Sequence, residues 1–168
     1  MLLAAQRACP RGKHARQRIH THGKEHIMTR LSEIMTPEPA YIVQGESIRR
    51  AAELMADLDV GELPICDGRR LVGVITDRDI TVRCTARGAA PDAATVDDAM
   101  SERPIWCYED DPIEVAKSMM ESEMVRRVLV LNRDKQLVGV VSLGDIAAKA
   151  DGAGATLAQV SEPAQPAR

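Results

Sequence analysis

Thr76, Arg78 and Asp79 stand where a chain of this kind could do chemistry. They follow the run Leu71-Val72-Gly73-Val74-Ile75, whose β-branched residues favour a buried strand. Thr76 falls where a helix N-cap belongs, and Asp79 falls in the first helical turn. A hydroxyl and free N–H groups at a helix start can donate to a phosphate. A carboxylate beside them can accept from a pair of sugar hydroxyls. The arrangement returns as Leu137-Val138-Gly139-Val140-Val141-Ser142-Leu143-Gly144-Asp145-Ile146. Each motif also has a plainer reading. Thr76 and Ser142 cap helices, and Asp79 and Asp145 stabilise their own helix starts.

Composition narrows the chemistry. The chain has 168 residues, 45% hydrophobic and 28% charged, with 2% aromatics and no Phe. Its core must therefore be aliphatic, and its length suits one medium domain or two small ones. No apolar run approaches a membrane span. Residues 1–27 hold six of the 22 basic residues and one of the 25 acidic ones, which leaves the body at a net −8. An acidic body argues against general nucleic-acid binding, except through the basic leader. All four histidines lie in that leader (His14, His20, His22, His26). A body without histidine lacks the commonest general base and metal ligand, so neither an enzyme nor a metal requirement is expected. Cys9, Cys66, Cys84 and Cys107 show no C-x-x-C spacing. Cys66 and Cys107 read as small core residues, and thiols without a secretory signal point to the cytoplasm.

The elements that position the two motifs follow in order. Residues 1–27 read as a disordered leader. Leu31 to Met35 reads as a helical turn, stopped by Thr36-Pro37-Glu38-Pro39, and Ala40 to Val43 as a strand. Ser47 caps a helix from Ile48 to about Leu58, with Ile48, Ala51, Ala52, Met55 and Leu58 on one apolar stripe. A strand around Leu63 to Cys66, a turn at Asp67-Gly68 and the strand Leu71 to Ile75 lead to a helix from Asp77 to Arg87. Gly88 to Asp92 breaks the pattern as a linker. Thr95 to Met100 and the strand Ile105 to Tyr108 restart the order. Asp111-Pro112-Ile113-Glu114 predicts a helix with Asp at the N-cap and Pro at N1, running to about Met124. Strands at Val128 to Leu131 and Leu137 to Val141, with a turn at Asn132 to Lys135, precede a helix from Leu143 to Lys149. Residues 151–168 read as a flexible tail.

The second half repeats the first. Ile48, Ala51, Met55 and Val60 recur 65 residues later as Ile113, Ala116, Met120 and Val125. Leu71, Val72, Gly73, Val74, Asp79 and Ile80 recur 66 later as Leu137, Val138, Gly139, Val140, Asp145 and Ile146. Each β-α-β-β-α unit, 28–90 and 91–150, is too small to bury its core comfortably alone. The expected fold is α/β (α+β), with two units packed sheet to sheet about a pseudo-two-fold. The two motifs would then open into clefts where the units meet.

The Met-x-Pro-like opening, the Gly-hydrophobic-x-Thr/Ser-x-x-Asp ending and the element order resemble cystathionine-β-synthase (CBS) domains. Two in tandem resemble a Bateman module, over about Leu31 to Ala150. Thr76-Asp77-Arg78-Asp79-Ile80 with the following linker is similar to small bacterial proteins made only of a CBS pair. Val125-Arg126-Arg127-Val128-Leu129-Val130 with Val141 to Ile146 resembles the gamma subunit of the AMP-activated protein kinase. The resemblance implies a regulatory, signal-transducing homodimer that binds an adenine nucleotide (AMP, ATP or NAD) and passes its state to a partner. On that reading Asp79 and Asp145 would hold ribose hydroxyls, and Thr76 and Ser142 phosphate. Val74, Val140, Ala40, Ile65, Ile105 and Val130 would enclose the adenine. Arg126, Arg127 and Arg78 would neutralise phosphate charge, and Trp106 stacks on a base or simply covers the core.

The two halves differ. Glu62 stands where the second unit has Arg127. The arginines are accordingly expected beside Ser142 and Asp145, giving two sites of unequal affinity or one ligand-bearing site and one weak or empty site, with Glu62 weighing against phosphate on its side. The other reading is a structural dimerisation protein with vestigial clefts.

Overall fold

The computed structural model describes residues 29–149. The leader and the tail read from the sequence lie outside them. Strand β1 is Thr36–Pro37, β2 is Ile42–Val43, helix α1 is Ile48–Leu58, β3 is Glu62–Asp67 and β4 is Arg70–Thr76. Helix α2, Asp77–Asp79, continues as a π-helical turn, Ile80–Cys84, and a 3-10 turn, Thr85–Arg87. The second half supplies β5 (Trp106–Tyr108), α3 (Ile113–Glu123), β6 (Arg127–Leu131), β7 (Leu137–Ser142) and α4 (Leu143–Lys149).

The helices form where the sequence supplies a stripe and a cap. Ser47 accepts from the Arg50 N–H at 3.2 Å, and Ile48, Ala51 and Met55 of α1 are buried. Helix α3 starts differently from the sequence reading. Pro112 is its N-cap, with no side-chain cap bond. Asp111 instead accepts from the Tyr108 N–H at 2.9 Å, which ties it to β5. Proline fits because a helix start leaves its N–H positions unpaired in any case. Helices α1 and α3 end alike, with Asp59 and Met124 in left-handed conformation at φ 53° and 56°. The N–H groups of Val60 and Val125 then return to Met55 and Met120, both at 3.0 Å.

The strands make two sheets, in the orders β2-β3-β4 and β1-β7-β6-β5. In each, a short parallel strand joins an antiparallel hairpin: β2 on β3, and β5 on β6. The first hairpin turns at Gly68, whose φ of +60° suits glycine. One buried cluster lies between α1 and the first sheet, with Ile48, Met55, Leu63, Ile65 and Ile75. A second lies under α3 and α4, with Ala116, Met120, Val128, Val130 and Val141. The third joins Cys66 and Leu71 of the first sheet to Trp106, Leu129, Leu131 and Leu137 of the second. The sheets therefore pack face to face, as the repeat predicts.

The opening turns are exchanged between the units. Leu31 and Ile34 belong to the second unit's core, and Val96 and Ala99 to the first's. Thr36 pairs with Val140 on β7, and Ser101 with Val74 on β4. Two glycines make this possible. A Cβ on Gly73 would stand 3.0 Å from both the Met100 Sδ and the Ser101 carbonyl oxygen, and one on Gly139 would stand 2.9 Å from the Met35 Cγ.

Candidate functional site

Each strand-to-helix junction closes as a reciprocal capping box. The Thr76 hydroxyl donates to Asp79 Oδ2 at 2.7 Å, and the Thr76 N–H reaches the same oxygen at 3.0 Å. In return the Asp79 N–H donates to Thr76 Oγ1 at 3.1 Å. The second junction has the same bonds: Ser142 Oγ and Ser142 N to Asp145 Oδ2, both 2.7 Å, and Asp145 N to Ser142 Oγ at 3.2 Å. A hydroxyl has one proton to give. In this arrangement both hydroxyls spend it on their own aspartate, so the capping role is the one displayed. Oδ2 of each aspartate is satisfied within its box, which leaves Oδ1 outside the box bonds.

Those two Oδ1 atoms differ. Asp79 Oδ1 lies 3.4 Å from an Arg83 nitrogen. Arg83 also donates to the carbonyls of Ala99 and Met100 at 2.6 and 2.8 Å, and to the Ser101 hydroxyl at 3.3 Å. It thus clasps the exchanged turn to the first motif. Asp145 Oδ1 has no such partner among the described residues. Arg83 escaped the sequence reading, because its partners sit 16 to 18 positions away.

Two clefts open where the sheets meet. The first, about 220 Å³, has Val74, Ile105, Val125 and Leu129 as apolar walls and Arg103, Arg126, Arg127 and Glu62 as charged ones. The second is about 300 Å³. Pro39, Ala40, Leu58, Val60 and Val140 line one part of it. Leu63, Pro64 and Leu129 complete its apolar wall, and Glu62 and Arg127 are its charged groups. The clefts are related by the repeat: Val74 and Val140, Ile105 and Ala40, and Val125 and Val60 occupy matching positions. In register, Glu62 faces Thr76 and Arg127 faces Ser142, while Thr76, Asp79, Ser142 and Asp145 themselves line neither cleft.

Several sequence-derived assignments are redistributed. Val74, Ile105, Arg126 and Arg127 meet at the first cleft, and Ala40, Val140 and again Arg127 at the second. Ile65 and Val130 line neither; both are fully buried on the helix side of their sheets. Strand alternation explains this, since Pro64 and Leu129, one position back, face the clefts. Arg78 is exposed on the helix surface and lines neither cleft. The arginines do start beside Ser142, since Arg127 is its register partner and the Arg126 carbonyl accepts from the Leu143 N–H at 2.9 Å, but their side chains also line the Val74 cleft. Arg103 and Arg126, which lead into β5 and β6, line the Val74 cleft, because face-to-face packing brings the starts of those strands to β4. Trp106 is 5% exposed and packs between the sheets, edge-on to Tyr108 with ring centroids 5.0 Å apart. Arg103, Val125, Leu129, Leu58 and Val60 were missed, although Val60 and Val125 already stood out as repeat mates.

Glu62 keeps solvent contact along the cleft, yet surrounding protein desolvates its carboxyl. That desolvation raises its pKa above the ordinary glutamate value of 4.5, with Asp79 pushing the same way and Arg127 opposing. Burial pushes the Cys66 thiol up to about 11, which leaves it a packing residue.

The CBS domain family profile matches residues 31–84 and 96–152. The chain is 34% identical to the uncharacterized protein YlbB of Bacillus subtilis over 140 residues, which are 80% of this chain and 93% of that protein. It is also similar to Hypoxic Response Protein I, crystallised with two coordinated zinc ions. That likeness has a TM-score of 0.65 and 36% identity, over 71% of this chain and 98% of the other. A CBS domain protein from Pyrobaculum aerophilum, complexed with AMP, matches with a TM-score of 0.59 and 32% identity, over 70% of this chain and 89% of the other.

The zinc ions overturn the expectation that no metal is required, since a chain this similar holds two. Lack of histidine was too narrow a criterion, because zinc also takes thiolate and carboxylate ligands. Among the described residues no three His, Cys, Asp or Glu side chains gather into a metal site, so those residues do not by themselves form one. Two matched segments spanning both halves of the repeat, in a structure that pairs them sheet to sheet, show that the chain belongs to the CBS domain family.

Proposed function

We propose that this CBS pair is a regulatory module that takes an adenine mononucleotide in its inter-sheet clefts and conveys its occupancy to a partner. One observation carries the reading. Each cleft is a slot whose apolar walls include the valine two residues before a Thr/Ser-x-x-Asp box, Val74 or Val140, and the first has three arginines in its lining. The slot suits the faces of a purine, the aspartate Oδ1 a pair of sugar hydroxyls, and the guanidinium groups a phosphate. AMP in the Pyrobaculum aerophilum relative supports the ligand class.

Phosphate sits best in the Val74 cleft, between Arg103, Arg126 and Arg127. In the other cleft the sugar would meet Asp145, whose Oδ1 carries no arginine among the described residues. On this reading the module works by shifting populations of its own conformations. A homodimer would serve that role, and Val82 and Met124, 53% and 89% exposed, are apolar surface that a second copy would cover.

Calorimetric titration with AMP, ATP, NAD and S-adenosylmethionine tests the reading, on the parent chain and on Asp79→Ala and Asp145→Ala. AMP should bind, and each variant should lose affinity. Absence of binding by all four, or unchanged binding by both variants, rejects it in favour of an interaction protein with vestigial clefts.

A further inference from the structure

Glu62 and Arg127 are repeat mates, each the first residue of its strand and each opposite a capping hydroxyl residue. Both line both clefts, with Leu129 as a third shared wall. The two cavities therefore meet at a partition made of one acid, one base and one leucine. Their remaining linings are unequal. The first cleft has Arg103 and Arg126 besides. In the second, Arg127 is the one cation in the lining among the described residues. An anion entering the second cleft thus depends on a guanidinium that the first cleft also uses.

We propose that the two clefts are coupled through this partition, so that an anionic mononucleotide in one weakens the binding of a second in the other. Arg127 is the shared cation and Glu62 the shared source of repulsion. A phosphate that recruits Arg127 from one side leaves the other side with Glu62 and the added negative charge. Such coupling is reciprocal: each ligand weakens the other by the same factor. The inference rests on the nucleotide reading above and states how the paired sites regulate each other. It makes the module respond over a wide concentration range, with one cleft filling well before its mate.

The test is calorimetry on the full chain with AMP and with adenosine, which has no phosphate. Val74 leads into the Asp79 box and Val140 into the Asp145 box, so on the nucleotide reading Asp145→Ala isolates the first cleft and Asp79→Ala the second; Asp145→Asn and Asp79→Asn serve if either alanine variant misfolds. AMP should bind each single-cleft variant, while its second step on the parent chain is weaker than the matching single-cleft constant by roughly tenfold. Adenosine should show no such loss. Arg127→Gln should weaken AMP in each single-cleft variant and shrink the gap on the two-cleft chain. Two AMP molecules binding the parent chain with the single-cleft constants overturn the coupling alone. So does one AMP per chain that Asp145→Ala abolishes and Asp79→Ala leaves untouched, or the converse. No AMP binding to the parent chain overturns the coupling together with the nucleotide reading.

Discussion

Met35, near the start of the first unit, rests on Gly139 in the last strand of the second. A Cβ at Gly139 would stand 2.9 Å from the Met35 Cγ, closer than real contacts allow. The mate of this pair is Met100 on Gly73. Each glycine is needed because the other unit's methionine occupies the space, which locks the exchange of opening turns.

Gly139→Ala should destabilise the fold by about 1–3 kcal/mol, the usual penalty of overpacking. Urea denaturation measures it. The double variant Gly139→Ala, Met35→Ala should recover part of the loss, because it removes the obstructing side chain. An unchanged midpoint for Gly139→Ala would mean that the methionine simply moves aside.

Arg83→Met should loosen the clasp between Asp79 and the turn at 99–101. Hydrogen bonds to a charged donor contribute about 1.5–3 kcal/mol when sheltered. Arg83 is 39% exposed, so the lower end of that range is expected. Hydrogen exchange should rise at the Ser101 and Val74 amides, which bond each other's carbonyls at 2.8 and 3.1 Å. The exposed pair Arg50–Glu53, at 3.7 Å, is the contrast: breaking it should change stability by well under ~1 kcal/mol.

Thr76→Ala and Ser142→Ala should each lower stability by about 1 kcal/mol without any ligand present, since both hydroxyls cap helices. Thermal melts of the free protein read this directly. If the free protein is unaffected while AMP affinity falls, the hydroxyls serve the ligand instead.

Glu62→Gln should stabilise the protein at neutral pH. The folded-state pKa of Glu62 is raised, chiefly by desolvation. The protonated form is thus favoured on folding, and stability from this group is present below the ordinary value of 4.5 and lost as pH rises through the folded value. Replacing the carboxylate with a neutral amide removes the neutral-pH penalty, and the gain should vanish on acidification. Denaturant midpoints across that range decide it; a gain that persists in acid would show that charge is not its cause.

The secondary structure was legible because its signals are local. Ser47 announced α1, Asp67-Gly68 the first hairpin, and matched residues 65 and 66 apart the doubling of the unit. The two Thr/Ser-x-x-Asp boxes were legible for the same reason, since all their bonds span three residues. The start of α3 was misread because Asp111 had a nonlocal alternative, the amide end of β5.

The sequence by itself determined the repeat, the element order, the caps and the aliphatic core. Only the tertiary structure decided which strand face lines a cleft. Strands β3 and β6 are apolar on both faces, so alternation could not tell Ile65 from Pro64 or Val130 from Leu129. Only the tertiary structure moved Arg126 to the Val74 side, drew Arg83 onto Asp79, and placed Glu62 and Arg127 in one partition. Those relations join residues far apart in the chain, and sheet-to-sheet packing brings them together. No local period records such contacts, because they depend on where one buried face stops and the next begins.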